Sequence, residues 1–155
     1  MKVYIAAPYA EAVFVRKEVF ALLRGAGLEP VATWAIEADG LPENLFALGK
    51  DIARSRWIRN RTELLNADAV LVIARQDQGG EMFAEIEAAR FARMPIFWTG
   101  RHTLSAFDRS VCYRTASTAL EGLSGAIEAA ADMLHALGPN VLEASRRERN
   151  WREER

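Results

Sequence analysis

The chain has almost none of the residues from which metal centres and thiol chemistry are built. Its 155 residues contain one cysteine, Cys112, and two histidines, His102 and His135. A lone cysteine excludes an internal disulfide framework and fits a reducing compartment, so a cytoplasmic protein is expected. The histidines stand far apart without ligand spacing, so no metal is expected. No Ser-His-Asp or Cys-His constellation can be assembled around them either. His135, in Met133-Leu134-His135-Ala136, reads as a helix-surface residue. Surplus charge is also lacking: 20 basic against 21 acidic side chains leave a net charge of −1. No overall field draws the chain to a nucleic-acid polymer. Met1 leads straight into a strand-like run, and no long apolar stretch follows. Neither a signal segment nor a membrane span is expected. The chemistry has to rest on carboxylates.

What is present is an ordinary globular composition, 50% hydrophobic and 26% charged, at the size of one domain. Residues 2–7 (KVYIAA) form a short apolar, β-branched run stopped by Pro8, which predicts a buried strand. A helical period over residues 11–25 closes at Gly25 and Gly27, and residues 28–34 look like a second strand. Residues 35–49 carry Asp39-Gly40, Pro42 and Asn44, the turn chemistry of a long loop and a candidate substrate wall. A helix is predicted over 51–66. Residues 69–74 (AVLVIA) read as a central parallel strand. Gly79-Gly80 opens a helix over about 81–92, and strands are predicted at 95–98 and 111–114. A last helix covers 116–137.

Strands alternating with helices predict an α/β, doubly wound fold of the flavodoxin or Rossmann kind. Its sheet has five mostly parallel strands, with helices on both faces. The expected domain spans residues 1–138, with residues 139–155 a charged C-terminal tail; its mixed-charge stretch 143–155 reads as a frayed helix, solvated rather than a partner contact through Trp151. Ligands of such sheets bind beyond the carboxyl ends of the strands.

Three segments converge on that end. Val3-Tyr4-Ile5-Ala6-Ala7-Pro8-Tyr9 places small residues where a ligand can approach the backbone, with tyrosine hydroxyls at hand. The plainer reading is a tight strand-helix turn with core tyrosines. Asn60 and Asp68 bracket the end of the helix before the central strand. Asp68 reads as a structural cap, and Asn60 as a solvated amide or a site residue. In Arg75-Gln76-Asp77-Gln78-Gly79-Gly80-Glu81, the paired glycines permit a tight turn with backbone N–H groups facing the crevice. Glu81 falls in the first helical turn, where the helix dipole favours it. Glu85 lies four residues on and shares the side of Glu81. It reads either as a surface carboxylate on an amphipathic helix or as a nucleophile facing Asp77 and Tyr4. A carboxylate in that place can attack an anomeric carbon as a base departs.

Four blocks, VYIAAPY, TW, NRTELLNADAVLVI and GGEMFAEIEAARFARMPIFWTG, follow one another in order. On these the chain resembles the nucleoside 2-deoxyribosyltransferase-like superfamily, in particular its divergent phage and bacterial branch. The resemblance implies Glu85 as the nucleophile and Tyr4 as its hydrogen-bonding partner. Asn60 falls where the family has an aspartate that assists protonation of the leaving base. Asp77 falls approximately where an acidic group binds the sugar hydroxyl. Ala7, Pro8, Tyr9, Trp34, Gly79, Gly80 and Glu81 complete the implied substrate contacts. Glu87 stands where the family has glycine, close to the implied site.

The implied reaction is transfer or hydrolysis at the N-glycosidic bond of a (deoxy)nucleoside or nucleotide, through a covalent glycosyl ester and without a cofactor. Serines that hold phosphate in related monophosphate hydrolases are missing here, which favours an uncharged nucleoside. Arg16 and Arg75 are the cations available to a phosphate. A homodimer or larger homo-oligomer is implied, with Trp57 and the Phe83–Ile86 face as interface or core. Asn60 and Glu87 also support an alternative, a nucleotide-binding module without catalysis.

Overall fold

A computed structural model describes residues 1–38, 49–74, 80–100, 112–116 and 119–153. Strand β1 (Lys2–Ala6) is followed by a 3-10 turn (Tyr9–Glu11) and helix α1 (residues 12–25). Within α1, Val15–Val19 is a π-helical turn between α-helical ends Ala12–Phe14 and Phe20–Gly25. Then come β2 (Glu29–Val31), the short helix α2 (Thr33–Ile36), α3 (Lys50–Leu65), β3 (Ala69–Ala74) and α4 (Gly80–Phe91). Strands β4 (Ile96–Gly100) and β5 (Cys112–Ala116) precede α5 (Ala119–Glu153).

Pairing runs β2-β1-β3-β4, all parallel, and β5 joins the outer edge of β4. The α/β class and the parallel sheet are those expected. All six residues of β3 and all five of β4 are buried, because α1 and α5 cover one layer and α3 and α4 the other. Continuous apolar strands such as AVLVIA belong in such a sheet, where neither face meets water. At the carboxyl end of β4, Gly100 adopts φ 104°, and a Cβ there would lie 2.2 Å from the Ala74 carbonyl oxygen. Only glycine fits this close approach.

Two expectations change. Residues 28–34 are not one strand: β2 stops at Val31, and Thr33 and Trp34 enter a helical turn. The Thr33 N–H donates to Glu63 Oε2 at 3.1 Å instead of to a strand ladder. Trp34, 6% exposed, donates its indole N–H to the Ile5 carbonyl at 3.0 Å, which fixes the turn beneath β1.

The charged stretch after residue 138 is a helix docked on one side and exposed on the other, not a wholly solvated tail. Gly138, with φ 74° and ψ 162°, bends α5 before Pro139, and the helix then runs on through Glu153. Leu142 and Arg149 are buried at 4% and 8% exposure. Arg149 donates to the carbonyls of Leu65 at 3.2 Å and Ala67 at 2.5 Å, satisfying acceptors left open where α3 ends. Asn150 donates to Asn66 Oδ1, and Arg146 pairs with Asp68. Asp68 Oδ2 also accepts the Lys2 N–H at 2.7 Å, so Asp68 joins β1, β3 and α5 as the structural cap it was expected to be.

Candidate active site

Helix α4 presents Met82, Ile86 and Ala89 to the sheet, all buried, at the i, i+4, i+7 spacing of an inward stripe. Glu85 is three residues after Met82 and lies on that stripe, 6% exposed. This corrects the solvent-face reading: Glu85 is an interior carboxylate. Glu87 takes the opposite side of the helix, where Arg90 pairs with it at 2.5 Å and its side chain is 48% exposed. It therefore does not crowd Glu85, contrary to expectation.

Tyr4, fully buried in β1, donates its hydroxyl to Glu85 Oε1 at 2.5 Å. That length is at the short end for a hydroxyl on a carboxylate. Burial pushes the Tyr4 phenol well above its ordinary range, and the charges of Glu85 and Glu63 add to this while Arg59 opposes it. A phenol so perturbed keeps its proton at neutral pH and remains a donor. Tyr4 thus fixes one Glu85 oxygen.

Beyond the end of β1, Ala7 and Pro8 are buried, and Pro8 accepts the Glu11 N–H at 2.9 Å to close the turn. The Tyr9 ring lies against Trp34 with centroids 6.3 Å apart at 39°. The Tyr9 hydroxyl is buried with no hydrogen-bond partner among the described residues. Ala7, Pro8, Tyr9 and Trp34 are thereby gathered at one end of the strand. Gly80 opens α4, and Glu81 stands in its first turn. Asp77, Gly79 and Arg75 lie outside the described residues. Arg16 reaches the Ile36 carbonyl at 3.5 Å.

Helix α3 adds Asn60, half-buried, whose Oδ1 is buried without a hydrogen-bond partner among the described residues. It also adds Arg59 and Glu63, which sequence reasoning missed. Arg59 Nη1 pairs with Glu37 Oε1 at 2.6 Å, and Arg56 Nη2 approaches the same carboxylate at 3.5 Å. The signal was available: Arg56, Arg59, Asn60 and Glu63 fall at i, i+3, i+4 and i+7, one polar stripe along the helix. Among the described residues no group of three or more His, Cys, Asp or Glu is placed to hold a metal ion. No described helix is long and apolar enough to cross a membrane.

Among solved structures, the chain is similar to a 2-deoxyribosyltransferase from the psychrotolerant bacterium Bacillus psychrosaccharolyticus. The TM-score is 0.61 at 13% identity, over 78% of this chain and 89% of that one. The likeness is one of fold. No family model matches the chain, and no curated protein matches it. The shared fold is a parallel sheet with helices.

Proposed function

We propose that this chain is an N-glycosidic enzyme of the divergent deoxyribosyltransferase-like branch, acting on a (deoxy)nucleoside or nucleotide. The observation that carries the reading is the buried Glu85 carboxylate held by the Tyr4 hydroxyl. Tyr4 occupies one oxygen, and the other attacks C1′ of the sugar. The C1′–N bond breaks, the base leaves, and the sugar stays as an ester on Glu85. A second base completes transfer, or water completes hydrolysis. Ala7, Pro8, Tyr9 and Trp34 form the wall against which the substrate lies. Asp77, Gly79, Gly80 and Glu81, at the glycine turn, take the sugar side. The reaction as proposed requires no cofactor or metal, and it suits a cytoplasmic enzyme.

A homo-oligomer belongs to the same proposal. Helices α3 and α4 pack side by side and expose Ile52, Trp57, Ile58, Phe83 and Phe91. Large apolar side chains exposed on neighbouring helices are candidates for cover by a second copy across a two-fold axis. Sedimentation of the purified chain tests this, with a monomer at all concentrations as the contrary result.

The direct test of activity mixes the protein with deoxynucleosides and a second free base, followed by chromatography and mass measurement of the protein. Base exchange or release, with a sugar-sized adduct absent from Glu85→Ala, is the expected outcome. Wild type indistinguishable from Glu85→Ala across the common nucleosides would sink the proposal. Asn60, in place of an acid, favours a second reading, binding without turnover. Its mark is thermal stabilisation by nucleotides with no base released.

A further inference from the structure

If Glu85 displaces a base, the departing base needs somewhere to put its charge. An amide at Asn60 has no acidic proton to give it. Arg59, the neighbouring residue on α3, is in an unusual state. Its Nη1 is held by Glu37 at 2.6 Å, while Nε and Nη2 are buried with no hydrogen-bond partner among the described residues. These two atoms form one edge of the guanidinium fork, the edge that meets a pair of acceptors. Buried donors without acceptors are rare, and in a native protein each one asks for a function. The side chain as a whole is one-third exposed, so a ligand has access to its surroundings. The fork belongs to the Glu85 neighbourhood, because α3 packs on α4 and the guanidinium charge is felt by the Tyr4 phenol.

We infer that Arg59 receives the leaving base, its Nε–H and Nη2–H donating to the base atoms on which charge gathers as the glycosidic bond breaks. The inference rests on the glycosidic reading of Glu85. A Glu85 oxygen forms the bond to C1′, and the C1′–N electron pair passes to the base. It spreads over the departing ring nitrogen and the neighbouring carbonyl or ring nitrogen. Arg59 keeps its own protons and stabilises that charge through charge-assisted hydrogen bonds. The base anion takes up the proton that the incoming water or second base gives up when it attacks the ester. Protons and electrons then balance over the cycle, and Glu85 returns as a carboxylate.

Glu37 holds the fork in place before the substrate arrives. It also offsets the charge of Arg59, and with the Glu63 and Glu85 charges acting on the same Tyr4 phenol as Arg59 the region is poorly suited to a dianionic phosphate. A base that becomes anionic only in the transition state fits better.

The test is the dependence of kcat/KM on the acidity of the leaving base. Thymidine, 2′-deoxyuridine and 5-fluoro-2′-deoxyuridine form a graded pyrimidine series, and 2′-deoxyadenosine and 2′-deoxyinosine a purine pair. Arg59→Ala is expected to lose on the order of 100-fold with the poorest leaving base and much less with the best, steepening the dependence. Arg59→Lys, which keeps charge without the fork, falls between. Circular dichroism and Glu37→Gln, which frees the fork without removing it, guard against an unfolded variant. Glu37→Gln should steepen the dependence more mildly. An equal loss across the series for Arg59→Ala, as a merely structural residue would give, overturns the inference and leaves the Glu85 reading standing. So does a defect confined to KM for nucleoside monophosphates, which would make Arg59 a phosphate contact. If wild type forms no glycosyl adduct and releases no base, both fall together.

Discussion

Two buried polar clusters sit at opposite ends of β1, and they differ in completeness. At the amino end, Asp68 accepts from the Lys2 N–H and from Arg146, while Arg149 caps the Leu65 and Ala67 carbonyls. Its members answer one another. Beyond the carboxyl end, the Tyr9 hydroxyl, Asn60 Oδ1 and two Arg59 nitrogens have no hydrogen-bond partner among the described residues. The Tyr4–Glu85 and Arg59–Glu37 contacts are tight there, and they leave these atoms open. A satisfied cluster holds a fold together, whereas one with open donors and acceptors is completed by something that binds. Burial and charge alone do not separate structure from function; the remaining hydrogen-bond capacity does.

The contrast can be broken by substitution at each end. The largest effect is expected for Glu85→Gln, which keeps an acceptor for Tyr4 but removes the nucleophile. Base release should fall at least about 10,000-fold while unfolding free energy stays within about 1 kcal/mol, measured by turnover and urea denaturation. Asp68→Ala is the mirror case. Removing a carboxylate whose side chain is 0% exposed strands Arg146 and the Lys2 N–H, with an expected loss of about 3–5 kcal/mol in urea unfolding. Turnover by the folded fraction at low temperature should persist. Arg149→Met leaves two carbonyls uncapped and should cost about 1–3 kcal/mol, read as a lower melting temperature. No change would mean that the segment after Gly138 is not docked in solution.

The smallest effect is one of pH. Tyr4 keeps its proton to a higher pH in the folded chain than in the unfolded one. Its contribution is therefore fully present below about pH 10 and is lost as pH rises toward the folded value, by at most about 1.4 kcal/mol per pH unit. Unfolding measured at pH 9 to 11 in wild type and Tyr4→Phe should show the variant with the shallower decline.

Much of this contrast was legible in the residues. AVLVIA has no polar position, so it reads as a strand covered on both faces. The helical pattern after Gly80 reads as the helix that follows the central strand. Glu85 was harder, because its fourfold spacing from Glu81 suggests a shared solvent face. The better guide is Met82-Ile86-Ala89, a stripe into which Glu85 falls by position. The helical turn at Thr33 was hidden because β-branched and aromatic residues there look like strand, while Glu63, thirty residues away, takes the backbone donor. The docking of the segment after Gly138, expected only as a frayed and solvated helix, was missed for a similar reason. Its inward positions include Arg146 and Arg149, and a pattern search that counts apolar residues overlooks a helix fastened by arginines.

The close approach of Gly100 to Ala74 bears on how this chain can be redesigned. A library that varies the crevice to change the accepted base would naturally include the carboxyl end of β4. Position 100 has no room for any side chain, since its first carbon would meet the Ala74 carbonyl at 2.2 Å. Diversity there would yield misfolded members instead of new specificities. Variation is better placed at Tyr9, which is only partly buried and makes no hydrogen bond through its hydroxyl among the described residues, and which leaves that strand junction intact.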